Sequence, residues 1–73
     1  MIKNKDVAGK ISALMTKYSG ELNDSIILIK EQCSEEEFLN YRKAVAYIMG
    51  DMLIRVMNPL YAEHPDLKPE GLK

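Results

Sequence analysis

The chain has 73 residues, a formal net charge of −1, one cysteine and one histidine. Such a length holds a single domain with a marginal core, because a small domain buries only about 60% of the surface its unfolded chain exposes. A lone cysteine excludes an internal disulfide, and one histidine beside it leaves a structural zinc site short of ligands. The near-neutral charge, with no basic stripe interleaved with aromatics, argues against a nucleic-acid partner.

From the N-terminal end, Val7, Ile11, Leu14, Met15, Tyr18, Leu22, Ile26, Ile29 and Cys33 follow one another at steps of three or four. That spacing predicts a helix over about 5–33. The phase passes through Ser19-Gly20 without a slip, which favours one long helix over two, since an interior glycine costs only about 1 kcal/mol relative to alanine. Cys33 reads as a small buried hydrophobe, with no cationic neighbour to activate its thiol. The lysines that break up residues 1–18 leave no secretory h-region.

Ser34-Glu35-Glu36-Glu37 is the sharpest local signal. The Ser34 hydroxyl can accept from the Glu37 N–H while the Glu37 carboxylate accepts from the Ser34 N–H, a reciprocal cap that opens a helix. Three carboxylates in the first turn also suit the positive end of its dipole. The connection to the preceding helix is then so short that an antiparallel helical hairpin is expected.

The second helix is predicted over about 35–57. Phe38, Tyr41, Val45, Ile48, Met52 and Val56 form its expected buried seam, at alternating steps of three and four. Asn58-Pro59 should interrupt it, because the residue before proline avoids the helical region and proline cannot donate. Asn58 would then cap a short turn over 59–63. His64 reads as an exposed turn histidine. Residues 65–73, with Pro65, Pro69 and Gly71, read as an extended tail, with Leu60 and Tyr61 just ahead of it apolar enough to fold back on the helices. The helical domain accordingly spans 1–64.

Between Ala44 and Met57 only Asp51 and Arg55 are charged, so this stretch is apolar almost all round. A helix of that kind needs cover on more than one side, and a chain of this size has little to cover it with. Self-association is the expected answer, as a dimeric four-helix bundle. The expected interface comprises Tyr47, Ile48, Gly50, Asp51, Ile54 and Arg55. Asp51 and Arg55 stand four apart and can pair; Ala46 and Gly50 form a small pair that lets another helix approach. Tyr18, Tyr41 and Tyr47 suit half-buried positions with the hydroxyl reaching water.

Charge is distributed unevenly. Residues 1–18 carry four lysines against Asp6, and residues 19–40 carry six acids against Lys30. This order runs against the helix dipole, but it suits an antiparallel pairing of two copies, in which the basic end of one lies beside the acidic end of the other.

The sequence therefore reads as an all-α, cytoplasmic, non-catalytic protein. It is expected to act through itself, as a homodimer, and through a protein partner in a regulatory or adaptor role. No catalytic, metal-ligating or cofactor-binding residue and no cofactor is assigned. Two other readings use the same residues: a membrane-peripheral protein with a basic amphipathic N-terminal segment, and a bundle whose ligand or catalytic site forms between subunits.

Overall fold

The first helix begins where Asn4, in extended backbone, accepts the Val7 N–H on its side-chain oxygen at 3.1 Å. Asp6 adds a carboxylate to the first turn. Asn followed closely by an acid is a readable helix start, one the apolar periodicity passes over. In the computed structural model, which describes residues 1–68, this helix α1 runs unbroken over Lys5–Gln32, through Ser19 and Gly20.

Cys33 and Ser34 are extended and reverse the chain. The reciprocal cap is present: the Glu37 N–H donates to Ser34 Oγ and the Ser34 N–H donates to Glu37 Oε1, each at 3.2 Å. It opens α2, Glu35–Asp51. Beside the turn, the Lys30 Nζ and the Arg42 guanidinium lie over the Phe38 ring, 5.8 and 5.4 Å from its centroid. Such cation–π contacts contribute about 0.5–1 kcal/mol each at exposed sites. Cys33 itself is exposed, contrary to the buried position expected; the reversal leaves nothing packed over it.

The expected break at Asn58-Pro59 does not occur. Asn58 has helical dihedrals (φ −61°, ψ −49°), and no side chain caps the turn it opens. Instead the helix widens into a π-helical segment, Met52–Met57, and continues as α3, Asn58–Glu63. The Asn58 N–H donates five residues back, to the Leu53 carbonyl. Pro59 supplies the reason. It has no N–H, and its ring collides with the carbonyl four residues back in a regular α-helix; a widened turn ahead of it relieves both conflicts. Pro65 then ends α3, and Pro65–Leu67 forms one 3₁₀ turn. Residues 69–73, the end of the expected tail, lie outside the described residues.

The π-helical segment also resets the helical phase. At about 100° per residue, an uninterrupted α-helix would turn Tyr61 roughly 160° away from Val45. One extra residue in the turn delays the rotation by about one position, which brings Met57, Leu60 and Tyr61 to the side of α1. There they form the core with Ala8, flanked by Ile2, Ile11, Met15 and Leu67. Leu60 is completely buried, and Val45 is buried further along.

Two hydroxyl pairs tie the helices together. Ser12 Oγ and Tyr61 Oη are 2.6 Å apart in a buried position, and Ser25 Oγ and Tyr41 Oη are 2.7 Å apart nearer the turn. The start of α1 is therefore held to the end of the second helical arm, and its later turns to the first half of α2: the arms run side by side in opposite directions. No buried side-chain nitrogen or oxygen lacks a partner among the described residues.

The burial of α1 keeps the expected row at Ile11, Met15, Leu22, Ile26 and Ile29, which are half-buried, and departs from it elsewhere. Val7, Leu14 and Tyr18 are exposed, while Ala8 and Ser12 face inward. In α2, Ile48 is also outside the buried seam, at 50% exposure. His64 is not a free turn residue either. Its Nε2 lies 2.6 Å from the Ile2 carbonyl, to which it donates when protonated on that nitrogen.

This packing makes a direct prediction. Leu60→Ala should cost about 2–5 kcal/mol, as truncation of a fully buried leucine does. Ile54→Ala, within the same apolar run but 67% exposed, should cost less than about 0.5 kcal/mol. Chemical denaturation of both variants checks this; equal losses would mean that Leu60 and Ile54 do not differ in burial as this packing requires.

Candidate functional site

A domain normally buries its apolar stripes between two packed layers. Here there is one layer of two helical arms, 44 × 20 × 16 Å, with a radius of gyration of 14.5 Å. A compact chain of this length would have a radius nearer roughly 11 Å. The flat shape leaves both broad sides of the layer open, and large apolar side chains stand on them.

Helical geometry shows how these side chains group. In α1, Val7, Leu14 and Tyr18 precede the inward row of Ala8, Ser12, Met15 and Leu22 by about a quarter turn. In α2, Ala44, Ile48 and Asp51 precede the inward row of Tyr41, Val45 and Met52 in the same sense. Because the arms run in opposite directions, equal offsets fall on the same side of the layer. Val7, Leu14, Tyr18, Ala44 and Ile48 thus share one side, and all five are exposed. Asp51 and Arg55 stand at its rim. Arg55 Nε donates to Asp51 Oδ1 at 3.3 Å, and both side chains are largely solvated, at 77% and 68% exposure respectively. An ion pair of this kind contributes little within the single chain.

Of the six residues expected at the interface, three stand on this side and three turn further from α1. Ile48, Asp51 and Arg55 are brought together on the side just described. Tyr47, 68% exposed rather than half-buried, points away from α1. Gly50 and Ile54 lie on the same outward arc as Tyr47. Around Gly50 nothing approaches: an added Cβ would meet no atom within 4 Å. Sequence reasoning missed Val7, Leu14 and Tyr18 by assigning them to the core. The signal available was the pair of adjacent rows, since Ala8, Ser12 and Met15 keep the same helical spacing.

The ends of the layer carry the perturbed ionisations. Lys5 and Asp66 form an ion pair, and the Met1 amine lies 2.7 Å from Glu63 Oε2. The hydrogen bond from Lys5 holds the Asp66 carboxyl below its usual value, and the same bond raises Lys5. The bond from the Met1 amine lowers Glu63, and the Ser34 cap lowers Glu37.

Among the described residues, no group of three or more His, Cys, Asp or Glu side chains converges as metal ligands would. No described helix is long and apolar enough to cross a membrane. Compared with known proteins, the chain matches no family model, no curated protein and no solved structure.

Two predictions follow from this geometry. Gly50→Ala should stabilise the fold by about 0.5–1 kcal/mol, because alanine costs less backbone entropy in a helix and its methyl has open space; thermal melting measures it. The ionisations define a pH window. Glu37, Glu63 and Asp66 are held below their ordinary values of 4.5, 4.5 and 3.8, so what they contribute is present above those values and lost as pH falls through the folded ones. Lys5 is held above 10.5, so its share is present below that pH and lost as pH rises through the folded value. Melting temperature should plateau between these limits, and Asp66→Asn should shrink the loss on both flanks.

Proposed function

We propose that this chain acts by binding rather than by catalysis: an antiparallel helical hairpin that self-associates into a four-helix bundle and serves a regulatory or adaptor role towards a protein partner. The observation that carries this reading is the uncovered apolar side made by Val7, Leu14, Tyr18 and Ile48, set against a buried apolar core that among the described residues comprises only Ala8, Val45, Met57, Leu60 and Tyr61. More large apolar side chains stand exposed than are buried. Fully covering a residue such as Leu14 or Ile48 stabilises an assembly by about 1.5–3 kcal/mol relative to leaving it in water, so association supplies what one layer lacks. Contiguous apolar surface of this kind marks interaction sites in soluble proteins. The solitary thiol of Cys33 fits a reducing, cytoplasmic setting.

Sedimentation equilibrium tests the reading. The protein should exceed monomer mass at micromolar concentration, and its melting temperature should rise with concentration, because association stabilises only the folded form. Ile48→Asp should leave the helical circular-dichroism spectrum in place, since the position is half-exposed in the single chain, while abolishing association by putting an unpaired charge into the contact. A monomer at every concentration, with a melting temperature independent of concentration, would sink the proposal.

A further inference from the structure

We propose that the occupant of this apolar side is a second copy of the chain, docked with the two α1 helices antiparallel about a two-fold axis near Tyr18. This rests on the self-association reading and specifies its geometry. Two face-to-face arrangements of such layers keep all neighbouring helices antiparallel. With the axis across the helices, α1 lies on α1 of the second copy and α2 on α2. With the axis along the helices, α1 lies on α2 of the second copy.

Charge separates the two. Lys10 and Lys17 border the apolar side in the first half of α1, and Glu21 and Asp24 follow in its second half, all four exposed. Among the described residues none of the four takes part in an ion pair. Their order also opposes the helix dipole, so neither a contact within the chain nor the helix itself accounts for it.

In the α1-on-α1 arrangement, full overlap of Lys5–Gln32 places the axis between Tyr18 and Ser19. Lys17 then meets Glu21 of the second copy, and Lys10 faces the stretch containing its Asp24, twice over by symmetry. The other arrangement puts the acidic half of α1 beside the start of α2 of the second copy, where Glu37 stands on the docking side and meets like charge. Opposite charges across an interface fix register, and like charges exclude the alternative. The axis also brings Tyr18 against its own symmetry mate, giving the exposed ring an aromatic neighbour.

A complementation experiment decides this. Lys10→Glu/Lys17→Glu makes the edge of α1 acidic between residues 10 and 24, and Glu21→Lys/Asp24→Lys makes the same stretch basic. Each variant alone should dimerise at least about tenfold more weakly than the wild type, because like charges now face each other. An equimolar mixture should regain wild-type association in sedimentation equilibrium, read at 150 mM salt so that long-range attraction between oppositely charged proteins is screened. Circular dichroism verifies that each variant is folded; if a double variant is not, the single reversals Lys17→Glu and Glu21→Lys are mixed instead. A wild-type dimer whose variants do not complement would overturn the α1-on-α1 arrangement and leave self-association standing. A wild type that stays monomeric would overturn both.

Discussion

The fold turns on one widened helical turn. Pro59 cannot sit in a regular α-helix without losing a hydrogen bond and colliding with the preceding turn. The π-helical segment Met52–Met57 absorbs that conflict, and in doing so rotates everything beyond it. Met57 and Tyr61 turn towards Ala8 and Ser12 because of this rotation. The clasp at the open end of the layer follows from it: α3 continues far enough for Glu63, His64 and Asp66 to meet Met1, Ile2 and Lys5. A proline that would ordinarily end a helix here sets its phase.

The same rotation explains which surface stays open. A layer of two helices has one internal contact and two broad sides, and the internal contact takes the row holding Ala8, Val45 and Leu60. The serines facing inward, Ser12 and Ser25, are satisfied by tyrosine hydroxyls from the other arm, so space between the helices is spent on polar groups as well as apolar ones. Val7, Leu14, Tyr18 and Ile48 are left outside. The core lies towards the open end, while the turn end is held by the Ser34–Glu37 cap, the Phe38 cation–π contacts and the Ser25–Tyr41 bond.

What was legible beforehand depended on range. The Ser34–Glu37 cap is complete within four residues, and its acceptor and donor are written side by side. The continuity of α1 through Ser19-Gly20 was legible because phase is a local property. The inward row of α1 was legible at Ile11, Met15, Leu22, Ile26 and Ile29, but not at Ala8 and Ser12. Val7, Leu14 and Tyr18 keep the same three-and-four rhythm as Ala8 and Ser12, and choosing between adjacent rows requires knowing where the other helix lies. The all-round apolar character of Ala44–Met57 was plain, whereas the outward turn of Tyr47, Gly50 and Ile54 was not.

By itself the sequence determined what neighbouring residues decide among themselves: helical periodicity, caps, the short reversal at Cys33-Ser34, and an apolar surplus too large for the chain to cover. Tertiary structure alone decided the inward turn of Ser12, the exposure of Cys33 and the engagement of His64 with Ile2. The reason is energetic. Local hydrogen bonds distinguish helix from turn at each position, but rotating a whole helix about its axis leaves them unchanged. Only contact with a second surface distinguishes one rotation from another.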